Sequence, residues 1–413
     1  MKYALIASFS LLSSTAVLAQ AVTLSEPTID QSRVYAASKA TDLDFVDPGN
    51  EKAKRFAGAT GVSVGEATSQ LKRNWALNQF IDRLQKRNPD LFSFVAVRNG
   101  VLTIGLTDPQ SDTASLIPPG LGQFQKVKAR YSKKSTREKI DALKDQVRAL
   151  GFENVTVGVD GETGKVEFMS KAHADGIEVA IANGKITPNG PVEVIRDDIV
   201  LTNLYGGLTW NADEAVCAKL CGGTTGFSMI STTDSTRYVS TAGHIDNNRA
   251  RYNTSFTSTY ASGGVALTLT RDLSATYRFD VQYATPASPS TNIPNPYIWD
   301  GTQYVLLDGW TYPTMGSQFC KFGRITKKTC GVHDTNTMLS NTNNGYNYTY
   351  LYRVKNNGSG SNFVFEGDSG GPVYYGTWAV GWIHGRDSSY NLYYSAYSDF
   401  RNLGTGVDII LYY

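Results

Sequence analysis

The sequence predicts an all-β domain preceded by a smaller α+β segment, and three observations carry that prediction. At 413 residues the chain is long for one compact unit, so two domains or more are expected. Its character changes near residue 200: 21 of the 24 tyrosines lie after residue 201, but only 28 of the 76 Lys, Arg, Asp and Glu fall within 202–413. The second half also breaks into short runs rich in Val, Ile, Thr and Tyr, separated by Gly, Asn, Asp and Pro clusters. Many short strands with frequent turn signals suggest a sandwich or a barrel, and periodicity does not choose between them.

Taken in order, the first 21 residues set the compartment. Lys2, an apolar stretch from Ala4 to Leu18 and the small-x-small pattern Ala19-Gln20-Ala21 (or Val17-Leu18-Ala19) read as a secretory signal peptide. The apolar stretch is shorter than the roughly 20 residues a membrane span needs. Residues 66–87 then carry Leu71, Trp75, Leu77, Phe80, Ile81 and Leu84 at helical spacing. Ser135 caps a second expected helix, with Ile140, Leu143, Val147 and Leu150 along it and Gly151 ending it. "NVTVGVDGETGKVEFMS" follows as a hairpin, turning at Asp160-Gly161 and Thr163-Gly164. This half holds one histidine, His173, no cysteine and no catalytic constellation. Beyond residue 202 the expected strands include "GFSMIS", "RYVST", "ALTLT", "YVLLDGW", "YTYLYRV", "GPVYYG" and "TWAVGWI".

Composition narrows the partners. A formal net charge of +2 gives no reason to propose nucleic acid or an acidic membrane surface. Monomer is the default for an exported chain of this kind. Four cysteines, an even count, favour disulfides. Cys320–Cys330 and Cys217–Cys221 are the expected pairs among the three possible pairings, and neither spacing fits a zinc ribbon.

The most informative string is "EGDSGGP", Glu366 to Pro372. Its glycines permit tight or left-handed backbone around Ser369. Such a turn can aim the amides of Gly367 and Ser369 at one point, where two converging donors stabilise a developing oxyanion. Asp368, buried behind the turn, would need a cationic partner such as a newly freed N-terminus. A serine hydroxyl needs a base at neutral pH. Of the four histidines, His244 ends "STAGH" just after an apolar strand and is the candidate; His333 and His384 follow Cys330 and "AVGWI". A carboxylate must hold the imidazole tautomer. Asp280 in "RFDVQYAT" has apolar neighbours suited to burial, whereas Asp272 in "TRDLS" reads as a solvated turn residue and is second choice.

In that order, "STAGH", "FDVQ" and "GDSGGP" resemble the chymotrypsin-like serine proteases, especially the bacterial alpha-lytic and streptogrisin-type branch. "CKFGRITKKTCG" is similar to that branch's disulfide loop, "TNLYGGLTW" to its mature N-terminus and "AVGWIHG" to its substrate-binding strand. The first half resembles the alpha-lytic pro-region in style. The resemblance implies two antiparallel six-stranded β-barrels with the active site between them. It implies His244 as general base, Asp280 as orienter, Ser369 as nucleophile, and Gly367 and Ser369 as oxyanion donors. The reaction would be hydrolysis of protein or peptide substrates through an acyl-enzyme, with no metal or cofactor. Phe363, Val364, His384, Gly385 and Arg386 fall on the family's substrate-binding positions. Phe363 and Val364 would favour an apolar side chain, His384 and Arg386 an acidic one, and Phe363 argues against a trypsin-like preference. The sequence departs from the family at Ile245, where a cysteine commonly follows the histidine, and at His384 and Arg386, where relatives carry Ser and Gly.

The implied organisation is a signal peptide over 1–21, a pro-region over 22–201 that aids folding and blocks the site, and a protease domain over 202–413. Cleavage would fall near Val200–Thr202. The rival from another class is a pseudoprotease acting as a secreted binding module. An α/β-hydrolase, which shares the G-x-S-x-G pattern, is rejected because no acid lies between Ser369 and His384, the last histidine.

Overall fold

The computed structural model describes residues 29–37, 51–201, 209–211, 222–245, 251–252, 265–287, 294–343, 346–358 and 363–412. The signal segment and the Cys217–Cys221 pair lie outside these residues. The first described strand, β1 (Val34–Ala36), is followed by helices α1 (Glu51–Thr60) and α2 (Val64–Arg87). Ser63 caps α2 by accepting from the Glu66 amide, and the expected stripe of Leu71, Leu77, Phe80, Ile81 and Leu84 is buried. A hairpin of β2 (Phe92–Arg98) and β3 (Val101–Leu106) follows, with β4 (Phe124–Lys128) parallel to β3.

Helix α3 (Lys133–Ala149) starts earlier than its sequence suggests. Its cap is Ser132, not Ser135: the Ser132 backbone is extended and its Oγ accepts from the Ser135 amide at 3.0 Å. Both serines suit a cap by composition, and only the backbone conformation separates them. The expected hairpin is β5 (Thr156–Asp160) and β6 (Val166–Met169), its turn held by Asp160 Oδ1 accepting from the Glu162 and Thr163 amides. Helix α4 (Ala174–Ala182), β7 (Val192–Ile195) and β8 (Val200–Leu201) complete this half.

The second half is mostly β-strand. Its first sheet contains β9 (Ser228–Ser231), β10 (Arg237–Thr241), β11 (Val265–Asp272), β12 (Gln282–Pro286) and the last strand of the chain, Val407–Tyr412, which pairs with β9 and with β1. The other sheet contains β13 (Gln318–Gly323), β14 (Lys327–His333), β15 (Thr337–Asn343), β16 (Tyr346–Lys355), β17 (Pro372–Tyr375), β18 (Trp378–Arg386) and β19 (Leu392–Ala396). Strands β13, β14, β16, β19, β18 and β17 pair in turn, and the last pairs back to the first. Strand β15 pairs with β16 on one side and with β5 on the other, so a strand of the N-terminal half continues this sheet. "YVLLDGW" forms two short strands rather than one, Tyr304–Leu306 and Gly309–Trp310. Asp308 between them is buried and bonded to Arg55 of α1 at 2.5 Å.

Where the two sheets meet, Trp382 of β18 packs on Phe227, Phe279 and Phe400, with ring centroids 5.2, 6.3 and 5.3 Å away. Its indole N–H donates to Ser240 Oγ on β10 at 2.9 Å. A wholly buried indole fixes both sheets at once, through area and through one directional bond. The loop after β10 and the turn before β17 are thereby held face to face.

His333, at the end of β14, lies among Phe319, Tyr352 and Tyr394, and its Nδ1 donates to the Arg353 carbonyl at 2.8 Å. Burial pushes its imidazole down to about 4, and the carbonyl bond only partly offsets this. The folded value lies below the unfolded one of about 6.5, so this contribution is complete above pH ~6.5 and is lost as pH falls toward 4. Urea denaturation is expected to report a stability loss approaching about 1.4 kcal/mol per pH unit from this group. His333→Gln, which keeps an N–H for the carbonyl, should lack that part of the slope.

Candidate active site

Ser369, His244 and Asp280 come from three distant stretches of chain and meet between the sheets. His244 follows β10, and Asp280 follows the one-turn helix Ser274–Tyr277 after Arg278, which has φ 55°. Ser369 sits in the turn before β17, flanked by Gly370 at φ 81°. A Cβ on Gly370 would stand 2.1 Å from Thr241 Oγ1 and 2.5 Å from the Ala242 amide nitrogen. Only glycine lets the serine turn close against the histidine loop.

His244 Nε2 is 2.9 Å from Ser369 Oγ. On the ring's other side, Nδ1 lies 2.7 Å from Asp280 Oδ2 and 2.9 Å from Oδ1, and the His244 backbone N–H donates to Oδ1 at 2.9 Å. The imidazole therefore carries its proton on Nδ1 and offers the Nε2 lone pair to the serine hydroxyl. Asp280 is fully buried. Burial alone would raise its carboxyl, but the neighbouring imidazoles of His244 and His384 and the bonds they donate hold it below the usual carboxylate range. Asp272, the second choice, accepts from the Ser274 amide at 2.8 Å, and burial raises its carboxyl. Tyr348 of β16, which nothing in its sequence neighbourhood singled out, packs on both imidazoles at 6.2 and 5.2 Å.

The partner of Asp368 differs from expectation. Lys321, inside the Cys320–Cys330 loop, places Nζ 2.9 Å from Asp368 Oδ2, and both side chains are buried. The carboxylate also accepts from the amides of Ile325, Thr326 and Phe365 and from the Thr326 hydroxyl. A cation supplied by β13 meets the charge within the full-length chain. The signal was available in the sequence as a lysine next to Cys320.

The remaining expected residues part company. Phe363 and Val364 are buried in the hydrophobic core. Arg386 is paired with Glu366 at 2.5 Å and lies over the rings of Phe365 and Tyr390, so its charge is already matched. Gly385 is covered by β8: a Cβ there would meet the Val200 carbonyl oxygen at 2.5 Å. His384 is buried and faces Asp280 and Asn341. Gly367, at φ 100°, lies in the serine turn, and its carbonyl accepts from Thr224 Oγ1. Ile245 is buried with Ala242, Leu267 and Ala284, so apolar packing occupies the position after the histidine.

His244, Asp280 and His384 place ligand atoms within 4.8 Å of one another, the spacing a metal ion could use. A cation there would have to displace the Nδ1 protons that both imidazoles direct at Asp280. The buried pair of Lys321 and Asp368 gives a direct test. Lys321→Met strands a buried carboxylate and is expected to cost about 3–5 kcal/mol in chemical denaturation. The double variant Lys321→Met, Asp368→Asn should recover part of that loss.

No family model and no curated protein matches the chain. Among solved structures, Nocardiopsis protease aligns at 18% identity over 50% of this chain and 98% of its own, with a TM-score of 0.37. Thermobifida fusca protease A aligns at 17% over 51% and 99%, with a TM-score of 0.38. A serine protease specific for glutamic acid, which uses a histidine triad in substrate binding, aligns at 18% over 49% and 99%, again with a TM-score of 0.38. At that level of similarity, any reading of the chemistry rests on the geometry of the site itself. These neighbours are bacterial chymotrypsin-like serine proteases.

Proposed function

We propose that the chain is a secreted serine endopeptidase made as a precursor. One observation carries the reading: Ser369 Oγ, His244 Nε2 and the Asp280 carboxylate form a continuous hydrogen-bonded line in a buried setting. His244 takes the serine proton as Oγ attacks the peptide carbonyl. The tetrahedral oxyanion settles on the amides of Gly367 and Ser369. His244 then gives the proton to the leaving amine, and water, deprotonated by the same imidazole, releases the acyl group. Asp280 stays ionised throughout and stabilises the imidazolium. The ring of β13, β14, β16, β19, β18 and β17 and the sheet containing β9 to β12 are read as the two barrels, with the site between them. The Cys320–Cys330 bond suits an oxidising compartment.

Residues 22–201 act as the pro-region, and 202–413 as the protease domain. Two contacts support this division of labour. Strand β8 runs antiparallel to Gly385–Arg386, lying along the strand edge that an extended substrate would use. Strand β5 pairs with β15 over Asp160↔Thr337 to Val157↔Ser340, offering a template edge for the hairpin of β15 and β16. A domain dominated by non-local strand pairing folds slowly, and a covalently attached edge lowers that cost.

A fluorophosphonate probe tests the chemistry. Label is expected on Ser369, in a species beginning near Thr202, and none on Ser369→Ala. A processed, folded product that takes no label would point instead to a binding module that has kept the architecture. Expression of residues 202–413 alone tests the precursor. Refolding is expected to be slow and to speed up when residues 22–201 are added in trans. Rapid unaided recovery of activity would remove the folding role.

A further inference from the structure

Asp280 receives two imidazoles. His384 Nδ1 lies 2.5 Å from Asp280 Oδ2, the same oxygen that His244 Nδ1 approaches at 2.7 Å. The two rings are nearly perpendicular, at 86°, with centroids 5.4 Å apart. On its far side, His384 Nε2 is 3.1 Å from Asn341 Nδ2 of β15. Asn341 Oδ1 in turn accepts from Thr156 Oγ1 of β5 at 3.0 Å. All of these polar groups except His244 are contributed by buried residues.

With the Asn341 amide oriented as its contact with Thr156 has it, the donor and acceptor inventory gives one assignment. Asp280 is an acceptor only, so the nitrogen facing it must carry the proton. In the full-length chain the Thr156 hydroxyl donates to Asn341 Oδ1 and leaves the amide nitrogen facing His384, where Nε2 accepts. His384 is thus a neutral imidazole protonated on Nδ1, the same tautomer as His244. One ring ends on the nucleophile, the other on an asparagine that has no proton acceptor to offer it. Among the described residues, the ionisable groups facing His384 are Asp280, His244 and, through its ring, Tyr348. Burial opposes charging of His384, Asp280 favours it and His244 opposes it, with a net shift downward.

We propose that His384 is a positioning residue for the triad, locked by Asn341 into the tautomer that donates to Asp280. It acts through Asp280 and does not itself transfer a proton to substrate. Its N–H fixes the rotation of a buried carboxylate and supports the negative charge while His244 becomes an imidazolium. Without it, Asp280 stays buried with one fewer hydrogen bond donated to its charge. The inference rests on the protease reading for its kinetic meaning, but the tautomer can be observed without any activity.

The test has two arms. In the first, full-length protein carrying imidazole-15N histidine is examined at pH about 7.5 by two-bond 1H–15N correlation. With four histidines in the chain, His384→Asn assigns the resonance by its loss. The His384 ring is expected to show a protonated Nδ1 and a bare Nε2. A proton on Nε2 overturns the proposal, whether or not the protein is an enzyme. In the second arm, His384→Leu should lower kcat by about 10- to 100-fold, the scale of a lost hydrogen bond to a buried charge, with KM changed less than about 2-fold. His384→Asn, whose amide N–H can stand where Nδ1–H stood, should recover most of that loss. Asn341→Leu should lower kcat in the same direction, and it provides the test if His384→Leu does not fold. Equal kcat in wild type, His384→Leu and Asn341→Leu overturns the positioning role. If processed, folded wild-type protein takes no fluorophosphonate label, the protease reading fails by itself, and the tautomer spectrum still decides the assignment of His384.

Discussion

A carboxylate with no access to water organises this site. Asp280 sits where desolvation works against its charge, and it stays ionised only because N–H groups surround it. Those groups are the backbone and ring of His244 and the ring of His384. The donors come from two places, the loop after β10 and strand β18, and the carboxylate from the stretch before β12, so satisfying one charge requires all three to be in register at once. The aromatic cluster around Trp382 fixes that register from below, and the indole bond to Ser240 ties the two sheets together one turn away from the triad. Packing and electrostatics impose the same geometry.

The second buried carboxylate obeys the same rule by different means. Asp368 lies directly before the nucleophile, and its charge is met by Lys321 and by the amides of the loop that the Cys320–Cys330 bond closes. That arrangement completes the serine turn within the full-length chain. In the same chain β8 pairs with Gly385 and Arg386, and Ser369 is fully buried.

Contacts between the two halves are of two kinds. Strand pairing of β5 with β15 continues a sheet, using backbone groups that any strand of suitable twist could satisfy. Side-chain contacts are more particular: Asn78 of α2 donates to the Trp310 carbonyl at 2.6 Å, Tyr312 donates to Asp82 at 2.8 Å, and Thr156 meets Asn341. The last of these reaches the triad through only two further side chains, Asn341 and His384. The N-terminal half is thus linked to the nucleophile by backbone along one edge and by hydrogen bonds through the interior.

Much of this was legible in the chain of letters. The strings around His244, Asp280 and Ser369 are local: each packs a functional side chain with the glycines or apolar neighbours its setting requires, so sequence alone determined the candidate triad, the strand-rich second half and the Cys320–Cys330 pair. The helix expected over 66–87, which runs Val64–Arg87, was equally plain, because its apolar stripe repeats with the helical period. The misses share a cause. Ser132 rather than Ser135 as the cap, Lys321 rather than a new N-terminus beside Asp368, and Asn341 behind His384 are choices among chemically equivalent candidates. Hydrogen bonding depends on distance and direction, and neither is written in residue type. Sequence thus determined which groups need partners, since burial of a charge or an imidazole imposes that need wherever it occurs. Tertiary structure decided which groups answer it, because strands hundreds of residues apart in the chain become neighbours only when the sheets close.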